Sequence, residues 1–203
     1  MNGATTENAA RQLLGGLSLG QIPIAGSKRR SMAINCGGEL YRIGRIPANR
    51  AFVIIRDNLR LLYVAPAYAN YRYAAKKVFG DVAGYDVDHV LGRRLTEQYG
   101  YWYTLVTRVN YQANRSHGSY ERPALQGASG INLDKFCYTD ARILGKLLGI
   151  PLSKLPTGKP SPGYSIVRSH ERFLSLSEAG RLRRCLGMDG PGVHLDCLHP
   201  IQR

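Results

Sequence analysis

Apolar positions in the first half of the chain predict a β-hairpin. Ala51–Ile55 is an apolar run rich in β-branched residues, and Leu59–Val64 is a second, mostly apolar run. The three polar residues between them end in an Asp-Asn pair that suits a tight turn, so the two runs are predicted to pair. Glu39–Ile46 alternates moderately between apolar and polar positions and predicts a further strand.

Helices are predicted on both sides of the centre of the chain. Ala67–Phe79 follows Pro66 and is terminated by Gly80, an arrangement typical of a helix with proline at its start and glycine after its end. Three further helices are predicted at Ala9–Leu17, Asp140–Leu148 and Glu178–Leu186. Residues 151–163 contain four of the ten prolines and predict a linker or long loop.

The central segment has a different pattern. In Tyr85–Leu91, alternation places His89 on one face of a strand and Asp86 and Asp88 on the other. Trp102–Val109 is aromatic and β-branched and predicts a second strand. The polar residues 110–118 that follow can start a short helix, so the predicted order is strand, loop, strand, helix.

These elements predict an α+β protein with three regions. Residues 1–80 form a basic β-hairpin and helix region, and residues 81–125 hold the central strand, strand and helix unit. Residues 126–203 form a basic helical region with the proline-rich linker near 151–163.

The apolar pattern predicts neither a membrane span nor a secretory signal. Apolar runs fall far short of the roughly 20 residues that cross a bilayer, and the first ten residues contain no Lys or Arg. A cytoplasmic location without membrane association is therefore predicted. The four cysteines form no C-x-x-C pair, so reduced thiols are expected and no zinc ribbon is indicated.

Charge indicates a polyanionic partner. The chain has 28 Lys and Arg against 14 Asp and Glu, a net charge of +14. The net charge is +9 over residues 1–80, zero over 81–125 and +5 over 126–203. A carboxylate-bearing segment between basic flanks suits a cation-dependent site in a nucleic-acid groove, because Lys and Arg bind phosphate and release counterions. A basic surface that serves solubility is the alternative explanation.

Three motifs resemble the ββα-metal finger of the HNH endonucleases. They are Val87–Val90 (VDHV), Leu105–Arg108 (LVTR) and Asn114–Gly118 (NRSHG), and the resemblance covers about 36 of the 203 residues, 86–121. It implies a metal-dependent endonuclease that hydrolyses phosphodiester bonds of DNA, with RNA as the alternative substrate.

The resemblance also implies residue roles. His89 would be the general base that takes a proton from water, a role that suits a neutral imidazole. Asp88, Asn114 and His117 would surround a divalent metal ion. Mg²⁺ is expected from the hard oxygen ligands, and the imidazole makes Mn²⁺, Ni²⁺ or Zn²⁺ alternatives.

Seven basic residues are candidates for contacting phosphate, and two of them belong to the resembling motifs. Arg108 and Arg115 would steady the substrate phosphate. The others lie in the basic cluster of the N-terminal region and just after the first strand. The full set is Lys28, Arg29, Arg30, Arg93, Arg94, Arg108 and Arg115.

The sequence departs from the family pattern in three ways. The family has an Asn or His near the start of the second strand that orients the catalytic histidine, and none occurs over Trp102–Leu105. Asn110 is the nearest candidate for that role. The zinc-knuckle cysteines are absent, and Gly92 stands where a proline is common.

Two alternatives follow for the function. One is a catalytically inactive HNH-like protein that binds nucleic acid or serves a structural role. The other is a toxin or effector nuclease that an acidic immunity protein neutralises. The expected partners are thus nucleic acid, with DNA favoured, and an acidic protein in the second alternative.

Overall fold

An antiparallel sheet runs through the part of the chain that the structure describes. The structure is a computed structural model and describes residues 16–17, 21–116, 137–138, 146–147, 176–188 and 197–201. The strands are β1 Pro23–Gly26, β2 Glu39–Ile43, β3 Ala51–Arg56, β4 Leu59–Val64, β5 Asp86–His89, β6 Tyr103–Val109, β7 Cys137–Tyr138 and β8 Leu198–Pro200. The helices are α1 Arg29–Cys36, α2 Tyr71–Phe79, α3 Arg93–Gln98, α4 residues 111–116 and α5 Leu176–Cys185. The predicted α+β class is confirmed.

Strand β6 lies at the centre of the sheet. The strand order is β7-β1-β6-β4-β3-β2-β8, and β5 also pairs with β6. On one edge of β6, β1 pairs with Tyr103 and Thr104 while β5 pairs with residues 106–109. Strand β4 pairs along the other edge. Each of the three regions predicted from the sequence contributes strands to this one sheet.

The β3–β4 hairpin forms as predicted. Its register joins Arg56 to Leu59, which leaves Asp57 and Asn58 as a two-residue turn. Asp57 has a φ of 50°, in the left-handed region that such turns require and that Asp and Asn tolerate better than most residues. The Asp-Asn pair in the sequence therefore identified the turn correctly.

Helices cover both faces of the sheet. On one face, Val78 of α2 joins a cluster with Val53 and Val106. On the other face, α1, α3 and α5 contribute to a cluster that contains Phe52 and Leu105. Because successive residues of a strand point to opposite faces, β3 and β6 are buried on both sides, which explains their continuous apolar character.

Several elements have bounds that differ from the predicted ones. α2 begins at Tyr71, four residues after the predicted start, because a turn with a hydrogen bond from Tyr68 N–H to Ala65 O precedes it. It ends at Phe79, and Gly80 follows with a φ of 76°, as predicted. β2 is three residues shorter than the predicted strand, and α5 ends one residue before the predicted last residue.

Three predicted segments lie wholly or largely outside the described residues. They are the N-terminal helix, the helix at residues 140–148 and the linker at residues 151–163. Within the second of these, residues 146–147 are described and are helical.

Membrane spans and cysteines can be assessed for the described part of the chain. None of its helices has the length and apolar character needed to cross a membrane. Cys36, Cys185 and Cys197 are free thiols. Burial raises the pKa of Cys36 to about 11 and that of Cys185 to about 12, so both thiols stay protonated at neutral pH.

Candidate active site

Strands β5 and β6 and helix α4 are neighbours, in the order that the sequence predicted. β5 pairs antiparallel with β6 from Asp86 opposite Val109 to His89 opposite Val106. α4 begins two residues after the end of β6. The connection between the strands contains α3, a short helix that was not predicted.

A hydrogen bond between Asn114 and Asp86 joins the two ends of the motif. Asn114 Nδ2 donates to Asp86 Oδ2 over 3.1 Å, across 28 residues of sequence. This contact ties α4 to the start of β5. Asn114 was expected to act with Asp88, but the carboxylate that it contacts is that of Asp86. The two carboxylates lie on the same face of β5 because they are two residues apart.

Asp88 is paired with a lysine that is distant in the sequence. Lys146 Nζ lies 2.5 Å from Asp88 Oδ2. The lysine side chain is 3% exposed and the aspartate side chain is 25% exposed. The ammonium is thus buried against a carboxylate that still contacts solvent, and it depends on that carboxylate for its charge to be tolerated.

Thr107 lies directly across from Asp88 in the β5–β6 register. Directly opposed residues of an antiparallel pair share a face, so the Thr107 side chain is on the same face as both carboxylates. The residue is buried, and its Oγ1 has no hydrogen-bond partner within the described part of the chain. Leaving a buried hydroxyl unpaired costs about 1–3 kcal/mol, so this atom is of the kind that a bound group would satisfy.

His89 lies on the opposite face of β5 and is 5% exposed. Burial lowers its pKa to about 4; Asp88 opposes this effect, whereas Arg93 and Lys146 add to it. The imidazole is therefore neutral at physiological pH. Its Nε2 is buried without a hydrogen-bond partner among the described residues. A neutral imidazole is the form that a general base requires. The ring is, however, more deeply buried than a residue that must contact water would be expected to be.

Two residues of α2 connect this ring with the carboxylates. The Tyr71 and His89 ring centroids lie 4.4 Å apart at a tilt of 58°. Arg72 is exposed, and its pKa is raised by its hydrogen bond to the Tyr71 hydroxyl and, to a smaller extent, by Asp86 and Asp88. The guanidinium therefore acts on the same two carboxylates from the side of α2.

Asn110 caps α4 in the structure, whereas the sequence suggested it as the residue that orients His89. Its Oδ1 accepts hydrogen bonds from the N–H groups of Gln112 at 2.9 Å and Ala113 at 3.3 Å. Asn110 is therefore the N-cap of α4, since its side chain satisfies N–H groups that have no partner within the first turn.

Arg108 also has a role other than the predicted phosphate contact. It is buried, and its guanidinium donates to Arg184 O from Nε at 3.0 Å and from Nη2 at 2.5 Å. It further donates to the carbonyl oxygens of Phe79 and Asp81. Arg108 thus holds the end of α5 and the segment after α2 against β6, because one rigid guanidinium can serve several carbonyls.

The other predicted phosphate-contacting residues are at the surface or partly so. Arg93 and Arg94 are exposed in the first turn of α3, and Arg115 is exposed on α4. Lys28, Arg29 and Arg30 lie at the start of α1, which follows β1, and β1 pairs with the end of β6 away from the register of Asp86 and Asp88.

The oxygen atoms on the carboxylate face offer the ligands that Mg²⁺ prefers. The unpaired Thr107 Oγ1 beside Asp88 is the observation in favour of a bound cation. This set differs from the predicted one, because Asn114 bonds to Asp86 and His117 lies outside the described residues. Within the described ranges, no group of three or more His, Cys, Asp or Glu could hold a metal ion.

Comparison with family models, with curated proteins and with solved structures gave no match to this chain.

Three residues of the site were missed by reasoning from the sequence. The alternation of β5 had already placed Asp86 on the face of Asp88, so it could have been included. Thr107 could have been found only with the register of β5 on β6. Lys146 is 58 residues from its partner, and nothing in the local pattern indicates the pair.

Proposed function

We propose that the protein is a metal-dependent endonuclease that hydrolyses phosphodiester bonds of nucleic acid at the carboxylate face of β5. The hydrogen bond between Asn114 and Asp86 carries this proposal, because it brings the Asp-His and Asn-x-x-His ends of the motif to one place. DNA is the favoured substrate and RNA the alternative.

Asp86 and Asp88 are the proposed metal-binding residues, with Asn114 and Thr107 as neutral oxygen donors beside them. Mg²⁺ is the favoured ion, and Mn²⁺, Ni²⁺ or Zn²⁺ are alternatives. His117 stays a proposed ligand from the sequence. A divalent cation bound there would stabilise the negative charge that develops on the scissile phosphate and on the leaving oxygen.

Lys146 would hold Asp88 in place and add positive charge near the phosphate. Its ammonium contacts Asp88 Oδ2. This ion pair would fix the orientation of the carboxylate and leave Oδ1 available to a metal ion. Arg72, Arg93 and Arg115 are exposed on α2, α3 and α4, the helices that directly precede or follow β5 and β6 in the chain, and would neutralise phosphates of a bound strand.

His89 stays the general base that the sequence resemblance implies, although its buried ring lies on the face of β5 opposite the carboxylates. Its imidazole is neutral at physiological pH, and its Nε2 is without a partner among the described residues, so nothing described there competes for the proton of an attacking water. A pKa of about 4 makes it a weak base, so most of the rate acceleration is assigned to charge stabilisation at the carboxylate face.

The cluster Lys28, Arg29 and Arg30 supports a nucleic-acid partner. Three cations at the start of a helix oppose its dipole, each at a cost of about 0.3–1 kcal/mol, and α1 has no acidic residue in its first turn. A phosphate backbone that crosses this helix end would offset the cost.

Plasmid cleavage tests the proposal. Supercoiled DNA, and a labelled RNA in parallel, would be incubated with the protein and Mg²⁺, Mn²⁺ or Ni²⁺. Asp86→Asn is expected to lower the cleavage rate about 100-fold or more, since it removes a charged ligand and keeps the size of the side chain. Asp57→Asn is the matched control, because Asp57 is 80% exposed in the β3–β4 turn.

The outcome also separates the alternatives. A protein that binds DNA tightly but cuts neither substrate with any of these metals overturns the proposed enzyme and leaves a binding or structural role. Equal loss in Asp86→Asn and Asp57→Asn would likewise overturn the assigned site. Relief of toxicity by an acidic partner protein would identify the effector form of the same activity.

A further inference from the structure

Helix α5 carries two arginines, Arg181 and Arg184, whose Nε donors are buried without a hydrogen-bond acceptor among the described residues. Neither side chain forms an ion pair with a carboxylate in that part of the chain. Each residue as a whole is only partly buried, so other atoms of the side chain contact solvent. An arginine has five N–H donors and a permanent positive charge, and buried polar groups of this kind normally have a partner.

The two side chains lie at one place on the helix. Arg181 and Arg184 are three residues apart, so they share a face of α5. A Cβ atom placed on Gly180 would lie 3.5 Å from Nη1 and 4.0 Å from Nη2 of Arg184, so this guanidinium lies back along the helix, beside the residue that precedes Arg181. Burial raises the pKa of the Cys185 thiol to about 12, and three arginine charges oppose that rise. They are those of Arg108, Arg184 and Arg181.

The backbone that carries these two arginines is held by contacts outside the helix. Arg184 O accepts a hydrogen bond from Arg108 Nε on β6 over 3.0 Å. Cys185 Sγ donates to Leu147 O over 3.3 Å, and Leu147 follows the lysine that pairs with Asp88. The two cations are therefore attached to a fixed helix, and a ligand that binds them has less freedom to remove than on a mobile segment.

An anion with several oxygen atoms would stabilise this arrangement. Two neighbouring guanidinium groups without a carboxylate repel each other, and an oxyanion would compensate both charges. The planar fork of an arginine matches phosphate oxygens in pairs, and the tetrahedral phosphate can accept from guanidinium groups that approach from different sides. The net charge of +14 on the chain attracts ligands of this sign.

We propose that Arg181 and Arg184 of α5 form a phosphate-binding site, whose ligand is either the backbone of a nucleic acid or a free phosphate ion. Neither residue belongs to the candidate active site, so this binding does not depend on the proposed cleavage.

The NMR signals of arginine Nε–H groups test the site in the full chain. The labelled wild-type protein would be titrated with sodium phosphate that replaces chloride at constant ionic strength, and separately with a short DNA duplex in EDTA. Arg181→Lys and Arg184→Lys assign the two signals, because each variant removes one Nε–H group and keeps the charge. Arg183 is the control, since it is exposed on the same helix about 200° around the axis from Arg181.

We expect the Nε–H signals of Arg181 and Arg184 to shift and to saturate with at least one of the two ligands, while the Arg183 signal shifts little. Saturation with DNA but not with phosphate identifies the nucleic-acid backbone as the ligand. Saturation with phosphate but not with DNA identifies the free ion.

Affinity for DNA measures the contribution of the site if the backbone is the ligand. Fluorescence anisotropy in EDTA would compare the wild type with Arg184→Gln and with Arg183→Gln, which remove the same charge from one helix. Arg184→Gln should weaken binding about tenfold for two duplexes of unrelated sequence and reduce the salt dependence by about one ion. Arg183→Gln should change the affinity about twofold or less, and circular dichroism checks that both variants fold.

The proposal is overturned if neither ligand saturates the two signals, or if the Arg183 signal shifts as much as they do. Equal loss of DNA affinity in Arg184→Gln and Arg183→Gln would exclude the backbone as the specific ligand. If the two arginines bind phosphate but no nucleic acid is cut with any metal, the proposed function fails and the phosphate site stands.

Discussion

Lys146 and Asp88 form an ion pair in which the lysine is the more deeply buried partner, at 3% exposure against 25%. The pair connects a helical segment near the middle of the C-terminal half with the strand that carries the candidate site. Its asymmetry has a measurable consequence, because the two partners differ in what each would lose if left alone.

Removing the carboxylate should therefore cost more stability than removing the lysine. Asp88→Asn leaves a buried ammonium without its partner and is expected to cost about 3 kcal/mol of unfolding free energy. Lys146→Met should cost less, because Asp88 can be solvated, and the double variant should recover part of the loss. Urea denaturation of the four proteins measures the coupling. Equal costs for both single variants would contradict the burial asymmetry.

The buried neutral His89 should make stability fall as the solution is acidified. Its pKa is about 4 in the folded protein against about 6.5 when exposed, so the unfolded chain binds a proton first. The contribution is complete above pH 6.5 and is lost as pH falls from 6.5 to 4, about 2 kcal/mol of it by pH 5. Urea denaturation of the wild type and of His89→Phe at pH 7.5 and pH 5 gives the difference in their free energies of unfolding, and the change of that difference with pH is the contribution of His89. A difference that does not change with pH would rule out the buried neutral ring.

The same residue should leave a signature in the pH dependence of cleavage, if the proposed function is correct. A base with a pKa of about 4 is already deprotonated at pH 5, so the cleavage rate should show no His89 titration between pH 5 and 8. An inflection near pH 6.5 that disappears in His89→Gln would instead show an imidazole exposed to solvent in the active protein.

Arg108 is expected to matter for stability rather than for nucleic-acid affinity. Arg108→Lys cannot reproduce the two bonds to Arg184 O and should cost about 2–3 kcal/mol. Faster hydrogen exchange at the Arg60 amide, which donates to Leu186 O in the same segment, should accompany it. Arg115→Lys is the exposed counterpart and should leave stability unchanged. The reverse pattern, weaker binding with full stability in Arg108→Lys, would restore the phosphate role.

Asn110 should behave as a helix cap. Asn110→Ala is expected to cost about 1 kcal/mol, while Asn110→Asp, which keeps the acceptor oxygen, should cost little. The NMR signals of the His89 ring should be the same in both variants and the wild type. A shift of those signals in Asn110→Ala alone would show that Asn110 does orient the imidazole.

Local patterns predicted the elements well where a local cause decides them. The Asp57-Asn58 turn, the end of α2 at Gly80 and the alternation in β5 all depend on residues that are neighbours in the sequence. The late start of α2 shows the limit of such reasoning, because a turn at Ala65 uses residues that the pattern assigned to the helix.

The site itself was predictable only in part. The spacing of the motif predicted that Asn114 lies near β5. It did not predict that Asn114 would form its hydrogen bond with Asp86 and not with Asp88, because that depends on how α4 packs against the strand. Lys146 and Thr107 depend on long-range packing and on strand register, which no local pattern contains. Arg108 was misassigned because an arginine in the sequence does not indicate whether carbonyls or phosphates will accept its hydrogen bonds.

The pairing of β8 with β2 has a consequence for how fast the chain can fold. Tyr41 lies opposite Pro200, so this edge of the sheet is completed by residues about 160 positions apart. Contacts of such separation slow folding, because the entropy of closing a long loop is lost before the contact forms. During that delay β2 presents an open strand edge to other chains, so the unfinished protein is expected to self-associate more readily than the finished one at high concentration.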